Sequence, residues 1–426
     1  MIKRIKLRLL LFLALLAFAF GAPLAAAAPA SDFKTEKLPN GLTLIYKVMK
    51  DQPQVSINAI FPIGFFEEKH QGMPHLMEHL AFRGGSGYHY DDIVAVTNRQ
   101  GGLFNGATNF YSTSYNYVVP KEQLDRALKV FNGSLWKTDF SEANVHFERR
   151  IIRHELDMDY GFRYPYYAVL RYFYPEMQDD RQKVDFTPSQ VREFHMTYYQ
   201  PENATYVMAG DFDPRAVISQ LSQLSNGYGR IATPPAKIEG FRLPRGEIVE
   251  QRNIYPYQFQ LLMAYEFTGL SAKERMLLNL LAFSYGADYK TDYERNQFKE
   301  YNVVSRSIAG SDYFGIYYLE RTRPYSAEAL AAEKANLRQY VRQFRKMDFK
   351  QRLQDFCNAI VMEQTQSRES AVDAAALACQ RLMDPSSITA DDLALIKKLS
   401  VKDLERFIDS YLSKPPTTWV LVKTTQ

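Results

Sequence analysis

His75 and His79 stand four residues apart, with Glu78 directly before the second, in the stretch GMPHLMEHLAF (Gly72 to Phe82). On a helix, residues i and i+4 lie one turn apart on one face, so both imidazoles can reach a single ion. Zn²⁺ accepts nitrogen and carboxylate donors in tetrahedral geometry, and a catalytic site keeps one position for water. Glu78 would lie roughly 100° round the helix from His79, where it can take a proton from that water without being a ligand. The order is H-x-x-E-H, the inverse of H-E-x-x-H. The bland alternative is an amphipathic helix with polar residues on one flank.

Two histidines do not close a ligand set. The best source of a third donor is SEANVHFERRIIRHELDMDY (Ser141 to Tyr160), where Glu148 and Glu155 are seven residues apart. Seven residues are two helical turns, which puts both carboxylates on one face, with Phe147, Ile151 and Ile152 supplying a buried side. Spacing leaves Glu155, Glu148 and Asp157 all open as the third ligand. Taken alone, carboxylates among Arg149, Arg150 and Arg153 describe a solvated charged face.

The elements that must position these residues occur twice. FHMTYYQPENATYVMAG (Phe194 to Gly210) reads against FIDSYLSKPPTTWVLVK (Phe407 to Lys423) at a constant offset of 213. Each is a helix, a Pro-containing turn and a β-rich strand. HLMEHLAF (His75 to Phe82) reads against MLLNLLAF (Met276 to Phe283) at an offset of 201, and each follows a strand-like run. Those runs are VSINAIFPIG (Val55 to Gly64) and FQLLMAYEF (Phe259 to Phe267). Two copies of a unit this long are no solenoid. Hairpin-like strands and helical runs are mixed, which predicts an α+β fold: two homologous domains, each a mostly antiparallel sheet with helices packed on it. The expected division is 31–230, a linker at 231–247 rich in Pro, Gly and charge, and 248–426. In the second copy the motif positions become Met276, Asn279 and Leu280, a helix without donors. All seven histidines fall at or before His195. Chemistry belongs to the first half.

Residues 1–30 read as a secretory signal peptide. Lys3, Arg4, Lys6 and Arg8 precede an apolar run from Leu9 to Phe20 and a small-residue exit, with cleavage expected at Ala26, Ala27 or Ala30. The run is short for a membrane span, so export to the periplasm without a stable membrane anchor is expected. The formal charge of +4 leaves with those four basic residues, so what remains is neutral and gives no reason to expect nucleic acid. Cys357 and Cys379 are the only cysteines, too few for a cysteine-based zinc site. They flank a polar break, EQTQSRES (Glu363 to Ser370), and an antiparallel hairpin there would bring them level. Export permits a Cys357–Cys379 disulfide; two buried free thiols are the alternative.

With these motifs in hand the chain resembles the pitrilysin family of zinc peptidases (peptidase family M16), in its processing-peptidase-like branch. That family carries H-x-x-E-H, a ligand glutamate some 75 residues later, and a second glutamate seven before it. Here Glu155 follows His79 by 76 residues and Glu148 lies seven earlier. The resemblance implies one Zn²⁺ per chain held by His75, His79 and Glu155, with Glu78 as general base and Glu148 as a supporting carboxylate. QGGLFNGATNFYSTSYNYVVP (Gln100 to Pro120) is similar to a family strand beginning G-G-x-x-N-A that pairs with bound peptide. Asn105 matches its asparagine and implies a substrate-binding residue; Gly106 stands where alanine is usual. YQPENATYVMAGDFDP (Tyr199 to Pro214) is close to two further family segments and reads as structural.

The resemblance further implies one half of a clamshell, acting on short or unfolded peptides. Relatives often carry a substrate-gripping arginine and tyrosine in the second domain. The corresponding YERNQFKEYNVVSRS (Tyr293 to Ser307) offers Arg295, but its tyrosine position falls at Asn302 or Val303. That points to a hetero-oligomer with a metal-free homologous subunit, or a homodimer. Two rival readings are a non-catalytic binding or assembly subunit of the same descent and a metal-dependent amidase on a non-peptide bond. Zinc over manganese or cobalt is a chemical preference.

Overall fold

The computed structural model describes residues 32–64, 72–109, 111–155, 185–225, 243, 245–252, 254, 257–295, 299–308, 311–383 and 387–423. The expected signal peptide and nearly all of the expected linker lie outside them, as do the side chains of the Tyr293–Ser307 segment and Asp157. The chain divides into two compact units, each built on one sheet; residues 363–387 join the first unit although they come late in the chain.

The first sheet has six strands in the order β1-β2-β8-β3-β7-β6. They are β1 (Lys34–Lys37), β2 (Thr43–Val48), β3 (Gln54–Phe61), β6 (Leu103–Thr108), β7 (Thr113–Pro120) and β8 (Thr205–Gly210). A two-stranded ribbon, β4 (Gly84–Gly85) with β5 (Tyr88–His89), follows the motif helix. Only β2 and β8 run parallel; the other pairs are antiparallel. The sequence QVSINAIF of β3 is buried along almost its whole length, because both faces of the sheet are covered. One face carries Val55, Ile57, Ala59 and Phe61, and Phe61 packs with Tyr115, Trp136 and Tyr199. On the other face, Ile45, Ile60, Val207 and Ala209 pack against the alanine-rich helix Ala371–Met383 through Ala371, Ala374, Ala375 and Ala378. Small side chains let that helix approach the strands closely.

The second sheet runs β11-β12-β10-β13-β9. Its strands are β9 (Glu247–Arg252), β10 (Phe259–Thr268), β11 (Lys299–Ile308), β12 (Ser311–Glu320) and β13 (Thr417–Lys423). Strand for strand this is the path β2-β8-β3-β7-β6 repeated, down to the single parallel pair, β9 with β13. The expected α+β architecture of two homologous, mostly antiparallel halves is therefore present. Among the described residues no helix is long and apolar enough to cross a membrane.

Of the two readings of the cysteines, the possible disulfide is not formed: Cys357 and Cys379 are both free and buried. The polar run Glu363 to Ser370 is no hairpin turn. Helix Phe349–Glu369 continues through it, and Ser370 alone separates it from helix Ala371–Met383. Cys357 enters the core of the second unit, whereas Cys379 enters that of the first. Burial pushes the Cys379 thiol up to about 12, so it behaves as a small apolar side chain.

Candidate metal centre

The HxxEH residues lie on helix Met73–Ala81, directly after the region that follows β3. Gly72 caps its start with φ 87°, a left-handed conformation that glycine adopts without a β-carbon clash, and Pro74 sits in its first turn. Met73, Leu76, Met77, Leu80 and Ala81 form the buried face. That leaves His75, Glu78 and His79 half-buried along the helix flank. The rings of His75 and His79 stand 4.8 Å apart at 85° to each other.

The second helix, residues 142–155, begins after Ser141, lies in the first unit through His154, and ends its described length at Glu155. Its Val145 and Ile152 are fully buried, which turns Glu148 inward. One ligand atom each from His75, His79 and Glu155 all lie within 4.8 Å of one another. Of the three candidates for a third donor, Glu155 joins the histidines. Two imidazoles and a carboxylate suit a divalent cation and leave a tetrahedral set one short.

Glu148 does something different. Only 3% exposed, it takes a hydrogen bond from His79 Nδ1 at 2.8 Å and pairs through its other oxygen with Arg83 Nε. In a neutral imidazole, a carboxylate accepting from Nδ1–H puts the ring's lone pair on Nε2, so the contact selects the tautomer able to bind a metal. Arg83 supplies the charge that a buried carboxylate requires, and its guanidinium lies 4.0 Å from the centre of the Phe147 ring.

Glu78 faces β6. Thr108 Oγ1 donates to Glu78 Oε2 at 2.6 Å. Gly106, two residues earlier and so on the same strand face, lies against the Glu78 stem: a β-carbon there would stand 2.6 Å from Glu78 Cγ and 2.8 Å from Oε1. Asn105 is on the same strand, but alternation points it to the opposite face from Gly106 and Thr108, so it is not part of this cluster. Behind the helix, the Tyr115 and Tyr199 hydroxyls meet at 2.6 Å in full burial. Burial holds both phenols above their ordinary range, and the charge of Glu78 adds to the effect.

Sequence reasoning missed Arg83 and Thr108. Arg83 follows His79 by four residues but lies just past the end of the helix, so helical spacing does not place it. Thr108 gave no signal either, because its link to Glu78 joins a strand to a helix 30 residues away.

Comparison with known proteins matches residues 45–159 to the insulinase (peptidase family M16) domain and 185–349 to the peptidase M16 inactive domain. The chain is 24% identical over 225 residues to the zinc protease PqqE of Helicobacter pylori, covering 49% of this chain and 50% of that protein. It spans about half the length, or less, of the curated relatives first matched. In fold it is similar to a crystal structure of a protease from Helicobacter pylori, with TM-score 0.71, 19% identity, and coverage of 92% and 99% of the two chains. The periplasmic protease PqqL of Escherichia coli is a second neighbour, with TM-score 0.65 and 18% identity over 94% of this chain but 48% of that one. The doubled sheet, the donors confined to its first copy and the two adjoining domain matches agree, and the chain belongs to peptidase family M16, the insulinase family.

Proposed function

We propose that this chain is a zinc metalloendopeptidase that hydrolyses short or unfolded peptides, and that the cluster of His75, His79 and Glu155 is its metal site. The observation that carries the reading is the approach of those three ligand atoms to within 4.8 Å with the Glu78 carboxylate on the same helix. The donor set fits Zn²⁺, and the family's named zinc proteases agree with that choice. When bound, the ion supplies a Lewis acid that polarises a carbonyl and makes water easier to deprotonate. Glu78 takes the proton from the attacking water and returns it to the leaving amine. Glu148, backed by Arg83, keeps His79 in the tautomer and orientation that binding needs. β6 ends its sheet, and its outer edge pairs with no other strand among the described residues. An extended peptide can add to that edge, passing close to Glu78, with Asn105 as a contact.

The working form is proposed to be a two-chain clamshell, with a metal-free homologous subunit or a second copy as partner. The solved neighbours include both a chain of this size and one about twice as long. Export to the periplasm is proposed from the first thirty residues and agrees with the periplasmic neighbour.

A fluorogenic peptide library with and without chelator tests the activity. Chelator-sensitive cleavage by the wild-type chain, lost in Glu78→Gln by about 100-fold or more while metal stays bound, is the expected result. Glu78→Gln with wild-type turnover removes Glu78 from the role. Cleavage untouched by chelator removes the metal. Sedimentation of the active species separates the homodimer from the mixed pair.

A further inference from the structure

We propose that Thr108 is a positioning residue: from the edge strand it fixes the side chain of Glu78 for proton transfer. The inference rests on Glu78 being the base. A glutamate has three side-chain torsions and, half-exposed on a short helix, can occupy several rotamers. Here two features of β6 restrict it. Gly106 leaves the space that the Glu78 stem fills; a β-carbon there would come within 2.6 Å of Cγ. Thr108 then donates to Oε2 at 2.6 Å, which ties the end of the side chain to the strand.

Thr108 is well suited to hold a neighbour still. Its β-branched side chain is stiff at χ1. Its backbone is anchored opposite Thr113 at the end of the β6–β7 pairing, and Thr113 in turn donates to the Ile63 carbonyl at 2.9 Å. A hydroxyl on such a base has a geometric consequence. The strand whose outer edge would carry the peptide also sets the base, so both reactants are referenced to one backbone. Proton transfer is sensitive to displacements well under a residue's length, and misplacing the base lowers turnover without touching the metal ligands.

The test uses the full chain and two substitutions. Thr108→Val keeps the branched shape and removes the donor; Thr108→Ser keeps the donor. The expected result is a kcat lower by about 10- to 100-fold in Thr108→Val, the loss expected for a hydrogen bond to a charged group. KM, bound-metal stoichiometry and melting temperature should hold, and Thr108→Ser should restore most of the rate. Crystal structures give the second readout: Glu78 is expected against the Thr108 hydroxyl in the wild type and turned away in Thr108→Val. A Thr108→Val enzyme within twofold of wild-type kcat, or the same Glu78 rotamer in both crystals, overturns the proposal. If the wild-type chain shows no chelator-sensitive cleavage, the base reading of Glu78 fails instead, and the crystals still decide whether Thr108 holds the side chain.

Discussion

Two helices occupy equivalent places in the two halves of this molecule. Met73–Ala81 follows β3 in the first sheet, and Ala272–Arg295 follows β10 in the second. Both sheets run the same five-strand path, and the two aligned stretches end in the same Leu-Ala-Phe. Three of the differences between those stretches remove every metal-binding or proton-accepting group. Where the first has His75, Glu78 and His79, the second has Met276, Asn279 and Leu280. Met276 and Leu280 are buried in the second core, and Asn279 bonds back to the Arg275 carbonyl of its own helix at 2.9 Å. The fold is satisfied by either set, so the donors in the first half are not there to make the helix pack.

Making the first helix read like the second gives the largest effect. His75→Met with His79→Leu should abolish metal binding, measured by metal analysis of purified protein, and reduce peptide cleavage to background. Circular dichroism should stay unchanged, since the second half shows that these residues suit the same helix. A folded variant that keeps its metal would break the comparison.

His195 sharpens it from another side. At the offset of 213 it corresponds to Ile408, and both are buried. His195 Nε2 faces the Leu135 carbonyl at 2.8 Å, which makes it the donor, and the ring stacks on Tyr199. Burial lowers the imidazole to about 4, opposed by the Leu135 carbonyl and helped by Arg192. An unfolded histidine takes up its proton near pH 6.5, the folded one only near 4. Stability from this residue is therefore complete above about pH 6.5 and falls as pH drops, by about 3 kcal/mol once pH 4 is passed. His195→Gln keeps a donor without the titration, so urea unfolding between pH 7 and 4 should be less pH-dependent in the variant. Equal slopes would refute the assignment of a neutral core histidine.

Glu148→Gln should weaken metal affinity by about 10- to 100-fold, read by chelator competition, because a neutral amide holds the His79 tautomer less firmly. Unchanged affinity would leave Glu148 as a packing residue paired with Arg83. The smallest effect belongs to the second half. Asn279→Leu should leave activity unchanged and shift stability by no more than about 0.5 kcal/mol, and a marked loss of turnover would mean that the second helix takes part in the chemistry.

Much of this arrangement was legible before any coordinates. The doubled strand–helix pattern marked the two sheets, and the spacing of His75, Glu78 and His79 placed them on one helix flank, because local periodicity governs both. The cysteines misled for the same reason. A polar run between two helical patterns suggests a turn, but Glu363 to Glu369 are good helix formers or tolerate a helix, and the run stays helical. Nothing local says that Cys357 and Cys379 will enter separate cores.

Local order along the chain thus determined which residues could act: two imidazoles and a carboxylate on one helix, two more carboxylates on another, and a second copy without them. Tertiary packing alone decided their partners. Glu155 rather than Glu148 joins the histidines, Glu148 turns to His79 Nδ1 and Arg83, and Thr108 reaches Glu78 from the sheet. Those choices depend on how a helix lies on a strand and how one helix faces another, and periodicity within a single element carries no information about either.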